Sequence, residues 1–149
     1  MGFSDYERFK WETMEHLCHR TGLGGPWYEV ERLTDERAEQ AALVRRLVLE
    51  LLEEGLIFGT YATYQVAYDR KWSEFTQVSN DVVVQELEAP THVAPVEGDL
   101  DEVEWFWIFP TLKGERAVLS QPAEAFFHEY SAEDIEKRRA LIASLDADW

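Results

Sequence analysis

The sequence predicts an α+β fold, and three observations carry that expectation. Two long stretches in the first 55 residues repeat apolar side chains at helical spacing between capping signals. Two later stretches, 56–68 and 104–109, are rich in β-branched and aromatic residues. The chain is 149 residues long, which suits a single domain spanning 1–149, and 46% of it is hydrophobic. A core can form at that size without disulfides or metals.

The elements follow in order. Ser4 and Glu7 have capping-box spacing, so a helix is expected over 4–20. Tyr6, Phe9, Met14, Leu17 and Cys18 line one side of it, with Gly22 as the stop. Gly24-Gly25-Pro26 marks a turn, and Pro26 can open a short helix through Leu33. Thr34 is the expected N-cap of a long helix over 35–54. Ala38, Ala41, Ala42, Val44, Leu47, Val48, Leu51 and Leu52 give that helix a wide apolar face, which predicts burial on most sides. Gly55 ends it, with Leu56 supplying the hydrophobic contact of a Schellman cap.

Leu56–Tyr68 reads as a strand with an irregularity at Gly59. Residues 69–77 read as a loop anchored by Trp72 and Phe75. Ser79 can cap a short helix over 80–88, and residues 89–102, with two prolines and many acids, form a solvated loop. Glu104–Phe109 has no polar alternation after its first residue, which predicts a strand covered on both faces and ended by Pro110. Thr111 leads into a helix reaching about Leu119. Glu124–Tyr130 is a short helix or turn. Ser131 and Asp134 form a second capping box before a last helix striped by Ile135, Leu141, Ile142 and Leu145.

Charge is unevenly spread. The formal net charge is −16, and between Lys71 and Lys113 no Lys or Arg occurs. That stretch holds Glu74, Asp81, Glu86, Glu88, Glu97, Asp99, Asp101, Glu102 and Glu104. Like sign disfavours nucleic acid and anionic membranes as partners and favours a basic protein. No apolar run reaches the ~18 residues of a membrane span, and the first residues lack a signal-peptide pattern. With one cysteine, Cys18, the expected location is the cytoplasm.

The order of helix, short helix, long helix, strand, loop and strand resembles a winged helix-turn-helix domain. Leu51-Leu52-Glu53-Glu54-Gly55-Leu56-Ile57 looks like a third helix running into a wing. Trp107-Ile108-Phe109-Pro110-Thr111-Leu112-Lys113-Gly114-Glu115 looks like the returning wing strand and the Lys-Gly turn after it. The resemblance is to small winged-helix-like proteins of unknown function, common in actinobacteria. It covers 3–120 and implies an α+β, winged-helix-like core: three N-terminal helices and a small antiparallel sheet. It also implies an acidic insertion in the wing and leaves 121–149 as a C-terminal helical extension. DNA recognition would then rest on Arg37, Arg45 and Arg46 of the third helix, but that helix holds Asp35, Glu36, Glu39, Glu50, Glu53 and Glu54 as well.

Four constellations remain. Glu12, Glu15, His16, Cys18 and His19 share one helix. Glu12, His16 and His19 lie on one face and could hold zinc, with His92 or His128 as a fourth ligand. The bland alternative is Glu–His pairing at a helix C-terminus with Cys18 in the core. Such a late position also disfavours a Cys18 thiolate nucleophile. The acidic residues 86–104 lack a calcium-loop pattern and read as a solvated, partner-facing segment. Trp72 and Trp149 are candidate interface residues, while the aromatic run 105–109 fits core packing.

The expected function is therefore a non-enzymatic, acidic protein-interaction module without a cofactor. An inhibitor or immunity protein, or a nucleic-acid mimic, would suit the charge. The alternatives are a winged-helix transcription regulator and a metal-dependent enzyme. The last helix offers a stripe for a homo-oligomer.

Overall fold

The computed structural model describes residues 2–18, 24–63, 66–67, 72–88, 105–127, 131–134, 136–137 and 140. Helix α1 is Asp5–Cys18, α2 is Gly24–Val30 and α3 is Arg37–Glu53. Strand β1, Ile57–Ala62, precedes a 3-10 turn at Trp72–Glu74 and helix α4, Asn80–Glu88. Strand β2, Trp105–Pro110, leads into α5, Leu112–Leu119, and a 3-10 turn at Ala123–Ala125. The protein is thus α+β, a helical body with a two-stranded antiparallel sheet among the described residues.

Helix α1 begins with the predicted box: the Glu7 amide donates to Ser4 Oγ at 3.1 Å and the Ser4 amide to Glu7 Oε2 at 3.2 Å. Helix α2 starts at Gly24, two residues before Pro26, and ends at Val30 rather than Leu33. A turn over 31–33 takes its place, with Leu33 N donating to Val30 O.

Thr34 is not the N-cap of α3. That position belongs to Glu36, whose side chain makes no capping bond. Thr34 Oγ1 accepts from the Glu36 amide at 3.2 Å and donates to Glu39 at 2.7 Å, so it shapes the chain before the helix. Nor is α3 buried on most sides. Val44, Leu47, Val48, Leu51 and Leu52 face the core, while Ala38, Ala41 and Ala42 are exposed and Leu49 is 38% exposed.

The far end of α3 closes as expected. Gly55 has φ of 72°, its amide donates to Leu52 O, and the Leu56 amide reaches Leu51 O at 2.9 Å, the two bonds of a Schellman motif. Residues 111–114 grip this corner. The Thr111 amide donates to Leu56 O, Thr111 Oγ1 to Gly55 O, and Lys113 Nζ to Glu54 O. Thr111 also caps α5 by accepting from the Gly114 amide at 3.0 Å.

Strand β1 pairs with β2 from Ile57↔Pro110 to Ala62↔Trp105. Pro110 is therefore the last paired residue of β2, not the residue beyond it. Strand β1 stops at Ala62 rather than running to Tyr68. The Thr63 hydroxyl accepts from the Val66 amide, and residues 66–67 are helical. Gly59 stays in register opposite Ile108, so it is no bulge. A Cβ there would lie 2.7 Å from both Phe106 Cζ and Val83 Cγ2, so its lack of a side chain lets α4 approach the sheet.

Every residue of β2 is buried, because each sheet face is covered. Phe106 and Ile108 join the helical core of Phe9, Met14, Leu17, Leu47, Leu51 and Val83. Trp105, Trp107 and Phe109 form a second core with Phe58, Ala62, Ala67 and Phe75. The period of two along the strand separates the sets.

Ser79 Oγ accepts from the Val82 amide at the start of α4, as predicted. Residues 132–134 are helical, and Ser131 and Asp134 exchange the bonds of the second capping box at 3.1 Å each. The stripe Ile135, Leu141, Ile142 and Leu145, the loop 89–102, and Gly22 lie outside the described residues.

Candidate functional site

The long helix α3 places its polar residues on two flanks. Toward α1, Lys10 Nζ lies 2.8 Å from Glu54 Oε2 and 3.5 Å from Glu50 Oε2. Tyr6 donates to Glu50 at 3.4 Å, and the Arg46 guanidinium sits 4.0 Å from the centre of the Tyr6 ring. Burial, reinforced by the Glu50 charge, pushes the Tyr6 phenol up to about 12, although Arg46 pulls the other way. Lys10 and Lys113 offset the acids at the C-terminus of α3, where the helix dipole alone would disfavour Glu50 and Glu54.

Toward α4, Arg45 forms an ion pair with Glu88. Thus Arg45 and Arg46 lean to opposite neighbours, and with Arg37 near the helix start the three do not form one free basic row. Of the predicted acidic partner surface, Glu86 and Glu88 lie on α4. Glu86 accepts from the Tyr61 hydroxyl at 2.7 Å, a bond that raises the Tyr61 phenol by favouring its protonated form. Glu97, Asp99, Asp101, Glu102, Glu104 and Trp149 lie outside the described residues, as does the side chain of Trp72.

Between these flanks α3 turns its alanines outward. Ala41, Ala42, Val44 and Arg45 line an open cleft of about 340 Å³, with Trp27 of α2 on one side and Leu87 and Glu88 of α4 on the other. Ala42, Arg45 and Leu49 continue the same helical stripe at spacings of three and four. Small side chains on α3 open the cleft, and the larger ones of α2 and α4 wall it. Comparisons with protein-family models, curated proteins and solved structures find no match to this chain. The cleft and its charges must speak for themselves.

A second cluster lies between α1 and α2. Glu12 and His16, one turn apart on α1, meet Glu29 of α2. His16 Nε2 is 2.6 Å from Glu29 Oε1, and Arg32 Nε donates to Glu29 Oε2 at 2.8 Å. The Phe127 amide donates to Glu12 Oε1 at 2.8 Å, bringing the chain after α5 over the same place. Glu12 and Glu29 are each 1% exposed, whereas a third of the His16 side chain reaches the surface. The predicted group of Glu12, His16 and His19 is thus met in part. Glu29 joins it, while His19, His92 and His128 lie outside the described residues. Glu29 carried no spacing signal, because it belongs to another helix. Its one clue was an acid between Tyr28 and Val30 in an otherwise uncharged segment. Cys18 is half-buried against the helical core, in keeping with a packing role.

Proposed function

We propose that the chain is a non-enzymatic protein-interaction module, an acidic body on a winged-helix-like core that docks a basic protein partner on α3. The observation that carries this reading is the apolar cleft on the outward face of that helix, with Arg45 held by Glu88 at its edge. The element order α1, α2, α3, β1, β2, with antiparallel strands and residues 63–104 between them, supports the winged-helix-like part. In a DNA reader the third helix offers its arginines to phosphate. Here Arg46 lies over Tyr6, and α4 brings Asp81, Glu86 and Glu88 beside the cleft without a Lys or Arg. An amphipathic helix with apolar anchors and flanking Lys or Arg complements that surface in shape and sign. No helix among the described residues is long and apolar enough to cross a membrane.

The test is fluorescence polarisation with two labelled probes, a Lys/Leu amphipathic peptide and a random-sequence DNA duplex, at low and high salt. The expected result is salt-sensitive binding of the peptide, weakened at least about tenfold by Ala42→Arg, which fills the cleft and adds like charge. Peptide binding that ignores Ala42→Arg would refute the docking face. Duplex binding that is lost on replacing Arg45 and Arg46 by alanine would favour a transcription regulator instead.

A further inference from the structure

We propose that Glu12, His16 and Glu29 form a binding site for a first-row divalent cation, with zinc as the probe. The three offer one imidazole nitrogen and two carboxylates, and their ligand atoms lie within 4.8 Å of one another. Ligands bound at ~2.1 Å in a tetrahedral arrangement stand roughly 3.4 Å apart. The 2.6 Å His16–Glu29 contact therefore has to open by less than about 1 Å, a side-chain adjustment.

Chemistry and support agree with that ligand set. Two carboxylates buried to 1% in a chain of net −16 are costly to hold near each other. A divalent ion offsets both and needs only a neutral imidazole beside them. Each carboxylate already has one oxygen fixed by a donor from outside the trio: Phe127 N–H on Glu12 Oε1 and Arg32 Nε on Glu29 Oε2. Such outer hydrogen bonds orient metal ligands. His16, the exposed member, gives the ion a way in. Nitrogen with carboxylate oxygen suits zinc and its first-row neighbours better than calcium.

The experiment is a thermal melt of chelator-treated protein with and without zinc, joined to calorimetric titration. Zinc at about a hundred times its Kd should raise Tm by roughly 5–10 °C with one ion per chain. His16→Asn should weaken zinc binding at least about tenfold. Because His16 is partly exposed, this variant should still fold, and its circular dichroism verifies that. Cobalt in place of zinc gives a second readout on the unaltered chain, visible absorption that His16→Asn removes. Equal melts with zinc and with chelator would overturn the proposal, leaving a Glu–His–Arg ion-pair network. Binding undiminished in His16→Asn would overturn it too.

Discussion

Replacing Gly114 by alanine sets two physical effects against each other. On helix propensity alone, Gly→Ala inside α5 stabilises by up to about 1 kcal/mol. Packing says the opposite. The added Cβ would lie 2.0 Å from Leu56 O, 2.9 Å from Leu56 C and 3.0 Å from Met14 Cε. The obstruction is backbone, so no rotamer change relieves it. Leu56 O also accepts the Thr111 amide at 2.9 Å, and the neighbouring Gly55 and Glu54 carbonyls accept from Thr111 Oγ1 and Lys113 Nζ. Moving α5 away by more than 1 Å would loosen all three bonds, each worth about 0.5–1.5 kcal/mol net. Overpacking itself costs roughly 1–3 kcal/mol. After subtracting the propensity gain, Gly114→Ala should destabilise by about 2–4 kcal/mol, which lowers Tm by roughly 10 °C at this chain length. Thermal and urea melts followed by circular dichroism measure it. A variant as stable as the parent, or more so, would refute the tight joint between α5 and the α3–β1 corner.

Gly55 offers a contrast, because a Cβ there meets nothing within 4 Å and only its φ of 72° matters. Gly55→Ala should cost about 1 kcal/mol, read from the urea midpoint, and Gly55→Asn less, since asparagine tolerates that region. Tyr6 gives a pH signature. Its folded phenol titrates near 12 against the ordinary 10, so the neutral form is favoured in the native state. The associated stability is complete below about pH 10 and is lost as pH rises toward 12. Stability curves across that window should flatten in Tyr6→Phe, and unchanged curves would disprove the assignment.

Local chemistry was the legible part of the fold. The Ser4/Glu7 and Ser131/Asp134 boxes and the Gly55 stop depend on residues within a few positions of one another, and so they could be read directly. The covering of β2 on both faces was also plain from its unbroken apolar run. Packing decided the rest. Ala41 and Ala42 were counted as core because alanine says little about its own burial, yet they open the cleft. Gly59 suggested a broken strand, whereas its reason lies in Val83, far along the chain. Thr34 had the composition of a cap and served two residues too early. The candidate sites follow the same divide. One helix announced Glu12 and His16 by their spacing, but Glu29 reaches them only through helix–helix packing. The arginines of α3 were visible, and their capture by Tyr6 and Glu88 was not.

The Ala62↔Trp105 pair, which closes the ladder, has an evolutionary consequence. It makes residues 63–104 an excursion that leaves and rejoins the body at adjacent points. The entropy of closing such a loop rises only logarithmically, about 0.6 kcal/mol for each doubling of length. Beyond Glu88, where α4 ends, the chain can therefore be lengthened, shortened or exchanged at small thermodynamic cost while the helices and both cores stay as they are. The most acidic part of the protein is thus the part freest to be rewritten, and a change of partner could be acquired there without refounding the fold.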